Sequence, residues 1–288
     1  MRDIGIFGLG AIGSLLTKYL KQNKGNRCSY FSKTKKEKIS IKYQGQIEHH
    51  MVSLSNQEEH DLDWLIVCLK EYQLAQALPR LQALIKDKTK VVIFQNGINI
   101  STAYTSSTNA EVVIETIIDC PVQRIGPNSF LQFKKPNIIL PNTPYATEFI
   151  ALFSDGAIDF EQTTIFHKRQ WTKLIESSSI GSIQAYTGQP CSIFKIPQHL
   201  IDFISLVDEG IKVAKSEGIE LDQDLRQKLV QKLESYPLDK SSSMLTDRLA
   251  GNKLELDAKI GVILKLAKKN KVVVETTQKI YNKLIEFS

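Results

Sequence analysis

A glycine-rich turn near the N-terminus, Gly8-Leu9-Gly10-Ala11-Ile12-Gly13, constrains the fold of this chain more than any other feature. The turn follows a short apolar run at residues 4–7, and apolar residues then recur at helical spacing up to residue 20. In such a turn the first glycine permits a tight bend, the second lets the backbone approach a pyrophosphate, and the third allows the helix to pack closely on the strand. The helix N-terminus attracts the phosphate charge. We therefore predict a dinucleotide-binding turn, in preference to a turn without a ligand, with contacts from Gly8, Gly10, Ala11, Ile12 and Gly13.

Strand and helix patterns alternate through the first half of the chain. Apolar strands are predicted at residues 27–31, 62–69, 91–94 and 112–118, and a helix at 72–85 that Pro79 breaks near its end. Repeated βα units with buried strands are typical of a doubly wound parallel sheet, so we predict an α/β fold of Rossmann type. Turn residues from 121 to 144 predict a β-rich closing segment, with strands at 129–133 and 137–140.

Helical patterns replace this alternation after about residue 165. They occur at residues 168–186, 200–217, 222–235, 243–250, 256–270 and 274–287. A length of 288 residues suits about two domains. We therefore predict a dinucleotide-binding domain at residues 1–166 and an all-α domain at residues 167–288.

The end of the second predicted strand indicates which dinucleotide is bound. NAD enzymes usually carry Asp or Glu there to bind the ribose hydroxyls. Residues 32–36 are instead Ser-Lys-Thr-Lys-Lys, and the first acid is Glu37. Lysines and hydroxyls suit a 2′-phosphate, so the sequence favours NADP, although an exposed surface position explains Lys35 and Lys36 equally well.

Charge and composition exclude several classes of protein. The net charge of +6 is spread along the chain, without the concentrated basic face and aromatic platforms of a nucleic-acid-binding protein. No apolar run approaches the roughly 20 residues that span a bilayer, so we expect no membrane insertion. The cysteines lie too far apart for a C-x-x-C metal site, and free thiols suit a reducing, cytoplasmic compartment; they are Cys28, Cys68, Cys120 and Cys191.

Three further segments are informative because of the order in which they occur along the chain. Gln95-Asn96-Gly97 follows the fourth strand, Trp171-Thr172-Lys173-Leu174 opens the second half, and Ser242-Ser243-Met244-Leu245-Thr246-Asp247 precedes Glu255. Singly, they are typical of a turn, a surface lysine and a helix N-cap. Together with the glycine turn and Lys70, they resemble the ketopantoate reductase family over nearly the whole chain.

This resemblance implies NADPH-dependent reduction of 2-dehydropantoate (ketopantoate) to (R)-pantoate, on the route to pantothenate and coenzyme A. It implies a Rossmann domain followed by a helical substrate and catalytic domain, and a homodimer. The small-molecule partner would be a 2-keto acid. The cofactor contacts implied outside the glycine turn come from Lys33 at the 2′-phosphate, Lys70 near the phosphates or ribose, Asn96 and Glu255.

The same resemblance assigns roles around the reacting ketone. Lys173 corresponds to the catalytic lysine, which protonates the alkoxide as hydride arrives. Asn96 corresponds to the asparagine that contacts substrate and nicotinamide, and Ser243 to the serine that binds the substrate carboxylate or hydroxyl. Glu255 corresponds to the acid that holds substrate and supports the polar network of the active site.

One departure from the family pattern concerns the substrate. The family usually has Asn four and eight residues after the catalytic lysine, on the same helical face, where this chain has Ser177 and Gly181. We expect Ser177 to bind substrate in a roomier pocket with fewer donors, with Ser178 and Ser182 in partial compensation. Two alternatives therefore stay open: a reductase of another 2-oxo acid, and a non-catalytic NADP(H)-binding sensor.

Overall fold

The computed structural model describes residues 1–34, 36–55 and 61–287, which divide into two units. The first unit comprises Met1–Gln95 and Asn99–Phe166, and the second comprises Asn96–Ile98 and His167–Ser288. The main division thus falls between Phe166 and His167. The three residues Asn96–Ile98, which we placed with the first half, are counted with the second unit.

Strands and short helices build the first unit. Its strands are β1 (Arg2–Phe7), β2 (Asn26–Phe31), β3 (Lys38–Tyr43), β4 (Gln46–Met51), β5 (Trp64–Val67), β6 (Lys90–Ile93), β7 (Val112–Glu115), β8 (Ile117–Asp119), β9 (Val122–Gly126), β10 (Ser129–Gln132), β11 (Asn137–Pro141) and β12 (Asp159–Thr163). Its helices are α1 (Ala11–Leu20), α2 (Leu74–Leu84), α3 (Ser101–Thr105) and α4 (Pro144–Ile150).

The central sheet confirms the predicted fold class. Its strand order is β2-β1-β5-β6-β7, and every neighbouring pair is parallel. The chain leaves β1 for β2 on one side and then returns to β5 on the other side, so the winding reverses between β1 and β5. In open α/β sheets ligands bind at the carboxyl ends of the strands beside such a reversal. The glycine turn follows β1 at this position.

Two smaller sheets complete the first unit. They have the strand orders β4-β3-β10-β9 and β12-β11-β8. The strands predicted in the closing segment are confirmed as β10 and β11, whereas the β3–β4 hairpin was missed. The single strand predicted at residues 112–118 is wrong, because Thr116 separates β7 from β8 and its Oγ1 donates to the carbonyl of Ile93 at 2.8 Å.

Pro79 does not break α2, contrary to our prediction. The helix continues to Leu84 and buries Ala77, Leu81 and Leu84 against the sheet core. Proline removes one backbone donor from a helix, and the packing of this apolar face compensates for that loss.

The second unit is helical, as predicted. Its helices are α5 (Phe166–Thr187, beginning at the last residue of the first unit), α6 (Pro197–Ser216), α7 (Leu225–Glu234), α8 (Ser243–Leu249), α9 (Val262–Asn270) and α10 (Glu275–Ile285). The helix predicted at 256–270 begins instead with a π-helical turn, Asp257–Gly261, that leads into α9. No helix among the described residues is both long enough and apolar enough to cross a membrane.

Candidate functional site

The three glycines of the N-terminal turn meet three different surroundings. Gly8 has a φ of +98°, and a Cβ there would lie 2.7 Å from the carbonyl oxygen of Cys68 after β5. A Cβ on Gly13 would overlap the carbonyl oxygen of Gly8. By contrast, apart from Gly10 and the adjoining chain, no atom of the described residues lies within 4 Å of the Cβ position on Gly10. The turn is therefore closed on the protein side and open at Gly10, as close approach of a pyrophosphate requires.

The helix that follows this turn adds to the fit. Gly10 is the N-cap of α1, and the first helical residues are Ala11, Ile12 and Gly13. The backbone N–H groups of a first helical turn have no partner within the helix. They attract an anion, and the aligned peptide dipoles add to that attraction. The geometry therefore fits the phosphate contacts expected from these residues.

The lysines after β2 lie in different surroundings. Lys33 is exposed, and its ammonium donates to the side-chain oxygen of Gln76. Lys36 is buried, contrary to a surface position: its ammonium donates to the carbonyl of Leu9 inside the glycine turn. Burial lowers the pKa of Lys36, and the charge of Arg124 lowers it further. Lys36 therefore braces the turn, Lys33 remains exposed, and Lys35 lies outside the described residues.

Lys70 lies three residues after β5, at the same sheet edge as the glycine turn. Its backbone N–H donates to the side-chain oxygen of Gln73 at 3.0 Å, which holds the start of a 3-10 turn, Glu71–Gln73. The carbonyl of Cys68 against Gly8 shows how closely the two loops approach. The structure therefore brings Lys70 to the edge where the cofactor contact was expected.

In the second unit, Asn96 is paired with Glu255. Asn96 is exposed, and its Nδ2 donates to Oε2 of Glu255 at 3.2 Å. Glu255 is only 6% exposed. An amide nitrogen carries two N–H groups, so this bond orients Asn96 and uses one of them. The pair places a neutral donor at the surface with a buried carboxylate behind it.

Ser243 is backed by a charged residue that the sequence analysis missed. It is exposed at the start of α8, and Nζ of Lys259 donates to its Oγ at 3.2 Å. Lys259 is only 3% exposed. No local pattern in the sequence pointed to Lys259, because Glu255 lies outside the π-helical turn that carries it.

The helix that carries Lys173 packs on the segment that carries Ser243. Lys173, Ser177 and Gly181 stand one turn apart on one face of α5, and the first two side chains are half-buried. A Cβ on Gly181 would lie 3.0 Å from Sδ of Met244. The expected extra space is therefore absent at position 181, because Met244 occupies it.

The serines on α5 add few donors to this face. The Ser177 hydroxyl donates to the carbonyl of Leu174 at 3.3 Å, in its own helix. Ser178 and Ser182 are buried, and their hydroxyl oxygens have no hydrogen-bond partner in the part of the chain that the structure describes. Because they face the packed interior, the compensation expected from these two residues is not favoured.

Comparison with known proteins places the chain in a family. The model of the ketopantoate reductase PanE/ApbA family matches residues 4–144, and that of its C-terminal domain matches residues 166–287. A 2-dehydropantoate 2-reductase from Caulobacter vibrioides is 28% identical over 267 residues, which cover 92% of each chain.

Solved structures show the same fold. A dimeric ketopantoate reductase from Staphylococcus aureus has a TM-score of 0.87 at 21% identity, covering 99% of this chain and 98% of that one. A ternary structure of D-mandelate dehydrogenase with NADH and anilino(oxo)acetate has a TM-score of 0.89 at 21% identity, with the same coverage. The two family matches together span most of the sequence, and the chain belongs to the ketopantoate reductase PanE/ApbA family of NAD(P)-dependent oxidoreductases.

Proposed function

We propose that this oxidoreductase reduces 2-dehydropantoate to (R)-pantoate with NADPH, a step toward pantothenate and coenzyme A. The observation that carries the proposal is the polar cluster of the second unit, in which Asn96 is held by Glu255 and Ser243 by Lys259. These residues and the Lys173 helix supply the groups that a 2-oxo acid requires. The naming of curated relatives as 2-dehydropantoate 2-reductases supports the same substrate.

Bound NADPH would supply a hydride to the ketone carbon. The Lys173 ammonium would donate a hydrogen bond to the ketone oxygen and then its proton to the developing alkoxide, so charge is neutralised where it forms. Glu255 orients the Asn96 amide, and the second N–H of that amide would donate a hydrogen bond to the ketone and align it. Ser243 and Glu255 would hold the polar substituents of the substrate, and Ser177 would line the same face as Lys173.

NADPH is favoured over NADH by the chain's own residues. The exposed ammonium of Lys33, after β2, suits a 2′-phosphate, and no acidic residue precedes Glu37 in that loop. The fold alone does not decide the cofactor, because D-mandelate dehydrogenase binds NADH within the same architecture.

The resemblance to the family also leads us to propose a homodimer. Measurement of the particle mass in solution tests this proposal.

Reduction of another 2-oxo acid is the second candidate function. It is favoured by the packing of Met244 against Gly181, where the family usually supplies an amide side chain. A substrate without the hydroxyl and the branched carbon of ketopantoate would depend less on that missing donor.

The test is NADPH oxidation by the purified protein with ketopantoate and a panel of unbranched and aromatic 2-oxo acids. Preference for ketopantoate supports the proposal, and preference for another acid supports the second candidate.

Lys173→Ala should lower kcat at least about a hundredfold with NADPH affinity unchanged. Lys212→Ala, which removes an exposed lysine on α6, is the control. Normal turnover by Lys173→Ala would exclude Lys173 as the acid.

A further inference from the structure

We propose that Lys259 acts through Ser243 to hold the carboxylate of the 2-oxo acid, as a positioning residue behind the hydroxyl that the carboxylate contacts; the inference rests on the proposed function. Lys259 is buried to 3% exposure in the second unit, and its Nζ reaches Oγ of Ser243 at 3.2 Å. Ser243 itself is exposed. A cation therefore stands directly behind a hydroxyl that a ligand can reach.

The direction of this hydrogen bond determines what Ser243 can offer a ligand. A lysine ammonium has three donors and no acceptor, whereas a serine hydroxyl both accepts and donates. Because Ser243 accepts from Lys259, its own proton is free to point away from the lysine. The Lys259–Ser243 pair therefore presents a hydroxyl donor with a positive charge behind it. This arrangement is complementary to an anion and not to a second hydrogen-bond donor.

The backbone around Lys259 explains how a lysine comes to be buried here. Ala258, Lys259 and Ile260 are consecutive buried residues in the π-helical turn, closed by a 2.8 Å bond from the N–H of Gly261 to the carbonyl of Leu256. An α-helix rarely buries three residues in a row on one side, because each is rotated by about 100° from the last. Such π turns are frequent at functional sites.

The positions on α5 at which the family usually has asparagine offer few donors to such a carboxylate. The Ser177 hydroxyl is bonded to its own helix, and Met244 fills the position beside Gly181. Ser243 directly precedes Met244, so the residue that closes position 181 also fixes the start of α8. Lys259 thus supplies a charge behind Ser243, while α5 offers no amide side chain at positions 177 and 181.

Kinetics with a matched pair of substrates test the assignment. The pair is the preferred 2-oxo acid and its primary amide, which keeps the ketone but lacks the negative charge. Lys259→Met keeps the length of the side chain and removes the ammonium. We expect it to raise KM for the acid about 10- to 100-fold, while kcat/KM for the amide stays within about twofold and NADPH affinity is unchanged. Lys259→Arg should restore part of the acid preference.

A purely structural role would give a different result. If Lys259 only supports α8, Lys259→Met lowers kcat/KM for acid and amide equally, and the proposal is overturned. The unfolding midpoint of each variant shows whether it is folded, and Lys259→Arg gives an independent reading should Lys259→Met not fold.

Failure of the proposed function is distinguishable from failure of this inference. If another 2-oxo acid is turned over in place of ketopantoate, the acid and amide comparison is made on that acid. If none is turned over, oxalate is titrated by calorimetry into wild type and both variants. Binding that Lys259→Met loses and Lys259→Arg retains supports the carboxylate site. Equal binding by all three proteins, or no binding to wild type, contradicts it.

Discussion

Restoring the family's asparagine at position 181 should destabilise this protein rather than improve it. A Cβ on Gly181 would lie 3.0, 3.4 and 3.6 Å from Sδ, Cγ and Cβ of Met244, so Met244 must shift even before the amide is added. Overpacking a close-packed site costs about 1–3 kcal/mol. Removing a helix-interior glycine returns only about 0.3 kcal/mol. We therefore expect Gly181→Asn to lose about 1–2.5 kcal/mol of unfolding free energy.

Urea unfolding followed by fluorescence measures this loss in the second unit. In a Trp64→Phe background Trp171, which is buried in the core of the second unit, is the only remaining tryptophan. Ser177→Asn is the matched control, since it places the same side chain one turn away at a half-buried position. In a double-mutant cycle, Gly181→Asn should cost less unfolding free energy in a Met244→Ala background than in the wild-type background. Wild-type stability in Gly181→Asn alone would refute the packing argument.

Three further predictions concern the first unit. Gly13→Ala should lower both the unfolding midpoint and the NADPH affinity, because its Cβ overlaps the Gly8 carbonyl. Gly10→Ala should keep the unfolding midpoint and lower the NADPH affinity alone. Equal midpoints for the two variants would contradict this. Lys33→Glu should weaken NADPH far more than NADH in fluorescence titrations, and equal effects would exclude Lys33 as the phosphate contact. Burial raises the pKa of Cys120 to about 11. At pH 8 its alkylation, followed by mass spectrometry, should therefore be about a hundredfold slower than in urea, and equal rates would contradict its burial.

The sequence predicted the central sheet well because its signals are local. Buried parallel strands such as β5 are continuous apolar runs, and the glycine turn has a spacing that few other structures require. The helices of the second unit follow from apolar periodicity in the same way. The β3–β4 hairpin was missed because its strands carry many polar residues on an exposed face.

Pairings between distant residues could not be predicted in the same way. The bond between Lys259 and Ser243 joins residues 16 positions apart, and the π turn that buries Lys259 has no distinct sequence signal. Similarly, only the packed structure shows that Met244 fills the space beside Gly181. The resemblance to the family named Asn96, Ser243 and Glu255 in the cluster, but not Lys259.

The assignment of Asn96–Ile98 to the second unit has a consequence for dissecting the gene. Ile98 is one of the buried residues of the second unit's core, although the chain on either side of this segment belongs to the first unit. A clone encoding residues 167–288 alone would therefore leave an apolar position in that core unfilled. The second unit is encoded by two separate stretches of the gene. If the two units are exchanged between family members at a single junction after residue 166, Asn96 and Ile98 come from the parent that supplies the first unit. A chimaera that keeps both units intact needs three junctions.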